Sequence, residues 1–205
     1  MNKQAIVIGL TGPSGSGKSE ITKFLFKSQD VFIINADEIS HELLKNNNKL
    51  KSEVIQHFSN IVLNNKNLID RKILGTIVFK DKQKLSLLNS IIFPYIKSVI
   101  VELINFNKKN YKIILLDAPT LIESNLCTVC DKIIVVTADK FTRLKRIIKR
   151  DNLSLNEANN RLSSQLSDYE YLKKADFIIN NNYSNLSDLK KQTDLILNKI
   201  IFQKD

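Results

Sequence analysis

The sequence predicts an α/β fold: a three-layer α/β/α domain on a five-stranded parallel sheet, with a helical insertion and a lid. Three observations predict it. Four of the five glycines, Gly9, Gly12, Gly15 and Gly17, fall within the first nineteen residues. Short apolar runs alternate with helical periodicity along the rest of the chain, which is the pattern of βα units feeding a parallel sheet. One stretch, from Ile39 to about Lys109, is helical and glycine-poor and too long for a simple crossover. It reads as a helical subdomain that covers a second substrate.

The first strand is Ala5-Ile6-Val7-Ile8, apolar and rich in β-branched residues. Gly12-Pro13-Ser14-Gly15-Ser16-Gly17-Lys18-Ser19 follows with the spacing G-x-x-x-x-G-K-S, the P-loop pattern. Glycines let successive backbone N–H groups turn inward around an anion, and a helix start adds its positive dipole to the same spot. Lys18 reaches the β- and γ-phosphates in such a loop, and the Ser19 hydroxyl ligates Mg²⁺. Residues 19–26 place Ile21, Phe24 and Leu25 at helical spacing, so the motif has the strand–loop–helix setting it needs.

Val31-Phe32-Ile33-Ile34 reads as a second short buried strand, ending at Asn35-Ala36-Asp37-Glu38. Asp37 at that strand end is either an N-cap for a helix from Glu38 to Lys45 or an acid on the ligand-binding edge of the sheet. In the insertion, Leu50, Val54, Ile55 and Phe58 make one apolar face, Asp70 caps a helix running to Phe79, and Pro94 breaks or restarts a helix. Residues 111–117 form the strongest central strand, an apolar run closed by Asp117, which is Walker-B-like but a common pattern. Residues 132–136 form a fourth strand, and the helix after it carries Arg143, Arg146 and Arg150. Arg146 and Arg150 share a face that is either solvated or a charge clamp for a triphosphate. The polar helical stretch from Asn156 to about Lys174 has the composition of a lid, 176–180 is a fifth strand, and Leu186 to Ile200 lines a closing helix.

At 205 residues the chain suits one domain, 1–205. Its expected parts are a core (about 1–38, 111–142 and 175–205), a helical substrate-binding subdomain (about 39–110) and a lid (about 143–174). The formal charge of +10 comes from lysines dispersed among Asn and Ile, a composition bias and not a stripe, so no nucleic-acid partner is expected. No uninterrupted apolar run approaches the roughly 20 residues that span a bilayer, and the chain enters a strand at once, without room for a signal peptide. No membrane partner and a cytoplasmic location follow. Cys127 and Cys130 form a C-x-x-C, but there is no second pair and His41 and His57 are distant, so ordinary thiols are expected and not a zinc site.

Taken together, the chain resembles the dephospho-coenzyme A kinases from Ile6 to about Leu197. The resemblance is carried by the P-loop from Gly9 to Ser19, by Asn35-Ala36-Asp37, by Leu68 to Phe79 with Asp70-Arg71, and by Phe93-Pro94. Asp117 to Glu123, Arg146 with Arg150-Asp151, Gln165 and Ala175 to Asn180 complete it. It implies an ATP-dependent transferase that phosphorylates the ribose 3′-hydroxyl of dephospho-coenzyme A, the final step of coenzyme A biosynthesis. Asp37 corresponds to the family's catalytic base, acting with Lys18 and Arg146. ATP would be held by Gly12 to Ser19, Glu20 and Arg146, with Mg²⁺ on Ser19. The second substrate would contact Thr11, Asp37, Arg71, Pro119 and Leu121, and the enzyme would be a monomer or weak homo-oligomer. The chain departs from the family pattern at Pro13-Ser14, Asn35, Phe93 and Thr120, and lacks basic residues at Asp168 and Tyr171. The alternatives are another P-loop small-molecule kinase or a non-catalytic nucleotide-binding protein; the base-reading Asn-Lys-x-Asp of a GTPase fails at Asn110.

Overall fold

The computed structural model describes residues 4–25, 29–182 and 185–202. Five strands and nine α-helices alternate among these residues: β1 (Ile6–Thr11), α1 (Lys18–Leu25), β2 (Val31–Asn35), α2 (Ala36–Asn46), α3 (Asn48–Phe58), α4 (Arg71–Val78) and α5 (Lys82–Asn107) come first. They are followed by β3 (Ile113–Asp117), β4 (Lys132–Thr137), α6 (Lys140–Asp151), α7 (Leu155–Ser163), α8 (Asp168–Lys173), β5 (Phe177–Asn180) and α9 (Leu186–Phe202). Phe26, the expected last residue of α1, lies outside the described residues. The chain divides into two compact units, Met1–Ile34 with Ile104–Asp205, and Asn35–Leu103. The stretch expected to be a lid, 143–174, falls inside the first unit.

The first unit is the sheet, in the order β2-β3-β1-β4-β5, all parallel. β1 is central and buried at all six positions, as a strand covered on both faces must be. The side chains of Ile6, Ile8, Leu10, Ile113, Leu115, Ile134 and Val136 alternate onto one face, where Ile21 and Leu25 of α1 and Leu189, Leu197 and Ile200 of α9 close over them. At the other end of the strands, carboxylates take up N–H groups: Asp131 accepts from Val7 (2.8 Å) and Asp176 from Ile133 (2.8 Å). β2 departs from the expected buried strand. Only Ile34 is buried there, because the strand order puts β2 at the sheet edge.

The register sets Leu10 opposite Asp117 and Thr11 opposite Val135, so the chain leaves β1 beside the acidic end of β3. The sequence direction reverses across β1, with β3 and β2 on one side and β4 and β5 on the other. Open α/β sheets bind ligands at such a switch point, at the C-terminal edge.

The second unit is helical. Leu50, Val54 and Phe58 of α3 are buried, with Ile55 partly so. Tyr95 of α5 donates to Glu53 of α3 at 2.6 Å. Pro94 does not break the helix, contrary to expectation: α5 runs unbroken through it. An interior proline costs about 3 kcal/mol, but Leu88, Ile92, Ile96 and Ile100 form a buried stripe four residues apart. At about 1.5–3 kcal/mol per buried aliphatic side chain, that stripe outweighs the proline. α5 is also long and apolar enough, by length and composition alone, to cross a membrane. Its apolar run is not continuous, because Lys97 and Glu102 interrupt it.

Candidate active site

The loop between β1 and α1 takes the shape its sequence demands. Gly15 and Gly17 have φ of 79° and 89°, a region that residues with a Cβ adopt only under strain. Space is closed to a side chain as well. A Cβ on Gly15 would lie 2.6 Å from the Arg143 carbonyl oxygen, and one on Gly17 would collide with the side-chain amide of Asn181. Pro13 is buried and its carbonyl accepts from Ser16 N–H at 3.1 Å, closing the turn. Ser14 N–H donates to the Gln165 side chain at 2.9 Å, which ties the segment before α8 to the loop.

Lys18 opens α1, and its ammonium is ion-paired with the Asp117 carboxylate. The side chains are 14% and 10% exposed, so this pair is largely out of water and not a screened surface contact. The second oxygen of Asp117 accepts from Thr22 at 2.8 Å; Thr22 lies one turn after Lys18 on the same face of α1. Ser19 is exposed at the second position of α1. Glu20 is engaged by Lys23 at 2.8 Å on the outer face of the helix.

Arg146 reaches the loop from α6. Its Nη1 donates to the carbonyls of Gly15 and Ser16, each at 3.2 Å, and its Nη2 to the carbonyl of Asn181 at 2.9 Å. Of the two arginines on that face of α6, Arg146 is the one that reaches the glycine loop. Arg150 is paired instead with its neighbour Asp151 through two hydrogen bonds of 2.9 and 2.8 Å, which hold the Asp151 carboxyl below the usual carboxylate range. Arg143 is buried and paired with Asp168 at 2.9 Å, so the acidic residue at 168 has its cation on α6.

The expected second-substrate contacts divide. Thr11 is fully buried and donates to the Pro119 carbonyl at 3.1 Å, and Leu121 is fully buried against Gly9. Both side chains pack inside the protein and shape the loop after β3, on which Pro119 is half-buried. Asp37 and Arg71 belong to the other unit. Asp37 is not the cap of its helix. α2 begins at Ala36, and the Asn35 side chain accepts from the N–H groups of Asp37 (3.0 Å) and Glu38 (3.3 Å). Arg71 is the exposed first residue of α4, capped by Asp70, which accepts from Lys72 at 2.8 Å and Ile73 at 3.2 Å.

Four residues of this arrangement were absent from the expected site. Asp117 carried a signal, the acid closing an apolar strand, and Thr22 carried another, its position four after Lys18. Gln165 contributed only to the resemblance. Asn181 had no local signal, because its partners lie 165 and 35 residues away in the chain. Cys130 stands apart from this chemistry: burial pushes its thiol up to about 12.

The family model described as dephospho-CoA kinase matches residues 6–187. A dephospho-CoA kinase of Fusobacterium nucleatum subsp. nucleatum is 41% identical over 189 residues, 92% of this chain and 95% of that protein. A solved structure of dephospho-CoA kinase from Campylobacter jejuni is similar with a TM-score of 0.71 at 33% identity, covering 97% of this chain and 98% of that one. A shikimate kinase from Acinetobacter baumannii in complex with shikimate, with a TM-score of 0.51 at 14% identity and 96% of each chain covered, shares the fold alone.

Proposed function

The chain belongs to the dephospho-CoA kinase family and catalyses the last step of coenzyme A biosynthesis, and on that premise we propose which of its groups carry the reaction. The reaction moves the γ-phosphoryl of ATP to the ribose 3′-hydroxyl of dephospho-coenzyme A. The observation that carries the proposal is the Lys18–Asp117 pair at the mouth of a glycine loop, on the ligand-binding edge of the sheet. A cation held by one carboxylate is positioned to change partners when a phosphate arrives.

The loop N–H groups from Gly12 to Ser19 hold the phosphates, with Lys18 turning from Asp117 to the β- and γ-phosphates. Arg146 keeps the loop carbonyls occupied and directs its remaining N–H donors at the phosphoryl oxygens. Asp37 accepts the proton of the attacking 3′-hydroxyl, a task suited to a carboxylate in the first turn of α2, whose N-cap is Asn35. Arg71, at a helix start, supplies positive charge for an anionic group of dephospho-coenzyme A. The donor set suits a hard dication: Asp117 loses its cation when Lys18 moves, and Ser19 offers a hydroxyl at the start of α1. Ser19 and Asp117 would then hold Mg²⁺ together with phosphate oxygens, and the ion would neutralise charge on the transferring group. Residues 35–103 are the part that takes dephospho-coenzyme A, 143–174 form the lid, and the enzyme is cytoplasmic and monomeric or weakly self-associating.

A panel of acceptors with labelled ATP tests the reading. A 3′-phosphorylated product from dephospho-coenzyme A, with no transfer to nucleosides or nucleotides, is the expected result. Transfer to a nucleoside in preference would assign the chain to another small-molecule kinase activity.

A further inference from the structure

In a nest of inward N–H groups the carbonyls of the same segment face the protein, where each needs a donor. In this loop Ser16 is buried, and its carbonyl accepts from two side chains, Asn181 Nδ2 at 2.8 Å and Arg146 Nη1 at 3.2 Å. Asn181 is itself 5% exposed and directly follows β5. Its N–H donates to the Thr137 carbonyl at 2.7 Å, which ties it to the end of β4. Its own carbonyl accepts from Arg146 Nη2 at 2.9 Å. One residue therefore fixes the back of the phosphate loop and the guanidinium that lies across it. Gly17 has no room for a Cβ because the Asn181 amide fills that space.

We propose that Asn181 is a positioning residue for phosphoryl transfer: its amide holds the Ser16 carbonyl outward, so that the loop N–H groups stay aimed at the phosphates and Arg146 stays in line with them. This rests on the reading of the glycine loop and Arg146 as the ATP phosphate site. An aspartate cannot replace it, since a carboxylate has no N–H to give Ser16 and would draw Arg146 away from the loop. A smaller residue leaves Ser16 with Arg146 alone. The effect falls on ATP and not on the second substrate.

The test is steady-state kinetics in both substrates for Asn181→Ala and the isosteric Asn181→Asp, with direct binding of Mg-ATP by calorimetry and melting temperatures. Loss of one buried hydrogen bond in a binding loop should raise KM and Kd for ATP about tenfold in Asn181→Ala, and further in Asn181→Asp. KM for dephospho-coenzyme A should stay within about twofold. Adding Asn181→Ala to Arg146→Ala should cost less than the product of the single losses, because the two act on one carbonyl. An unchanged ATP KM in folded Asn181→Ala overturns the proposal. So does a parallel rise in both KM values that tracks a fall in melting temperature, since that is a structural role only. Should Asn181→Ala fail to fold, Asn181→Asp, which keeps the side-chain volume, decides by the same criteria. A wild-type protein that binds no Mg-ATP would overturn the phosphate-site reading itself, and this inference with it.

Discussion

The reactive groups of the sheet unit and those of the helical unit are held in opposite ways. In the sheet unit three phosphate-directed groups already have protein partners: Lys18 has Asp117, Arg146 has two loop carbonyls and Ser14 N–H has Gln165. Binding there means exchanging partners, so each group carries both stability and chemistry. In the helical unit the two duties sit on neighbouring residues. Asn35 caps α2 while Asp37 stands in its first turn, and Asp70 caps α4 while Arg71 opens it. Where structure and chemistry share a side chain, a substitution should damage both; where neighbours divide them, it should damage one.

The largest effect is expected at Lys18. Lys18→Ala removes the charge that stabilises the transferring phosphoryl, and activity should fall by about 10³-fold or more. It also strands Asp117, which is 10% exposed, with Thr22 as its remaining partner among the described contacts. Stranding one half of a buried pair costs about 3–5 kcal/mol, or roughly 6–20 °C in a chain of this size. From sequence alone the same variant looks harmless to the fold, since the partner carboxylate is ninety-nine residues away. Lys18→Ala with Asp117→Ala should regain much of the melting temperature and none of the activity. A single variant that melts like the wild type would break the comparison on the sheet side.

Asp37→Asn is the matching test on the helical side. With Asn35 as the cap, the melting temperature should change little, while kcat falls by about 10²-fold or more through loss of the base. Rapid-quench measurement of the phosphoryl-transfer step checks this without interference from product release. Near-normal turnover would take the base role from Asp37.

The two arginines of α6 sharpen the comparison within one helix. Arg146→Ala should lower kcat/KM for ATP by about 10²-fold, from the loss of the loop contacts and of a phosphate-directed cation together. Arg150→Ala should stay within about threefold, because Arg150 bonds only Asp151 among the described contacts. Equal losses would show that the whole face acts as one clamp.

The smallest effects are at Asn35 and Cys130. Asn35→Ala removes a cap worth about 1 kcal/mol, so the melting temperature should drop by roughly 2–4 °C, with kcat less affected than in Asp37→Asn. At pH 8 the Cys130 thiol, pushed up to about 12, stays protonated, so iodoacetamide should label Cys127 first, as read by peptide mass mapping.

The sequence by itself determined what depends on local spacing. The glycines that need positive φ, the helix opening at Lys18, the cap at Asp70 and the acid closing β3 are all patterns within a few residues. They sufficed for the five strands and for the phosphate loop, while the family was legible only as a resemblance carried by residues from Ile6 to about Leu197. What only the tertiary structure decided involves burial, the path of the backbone and partners far apart in the chain. Asn35 and not Asp37 caps α2 because backbone geometry at the end of β2 chooses between two nearby side chains. α5 passes through Pro94 because burial of its apolar stripe outweighs one missing hydrogen bond. Thr11 is buried because β1 sits at the centre of the sheet, and Leu121 because the loop after β3 packs it against Gly9. Arg146 and Arg150 looked equivalent on a helical wheel, and only the loop carbonyls at Gly15 and Ser16 tell them apart. Asn181 carried no sequence signal at all, since a buried amide is recognised by the acceptor it satisfies, and that acceptor is brought to it by the strand order of the sheet.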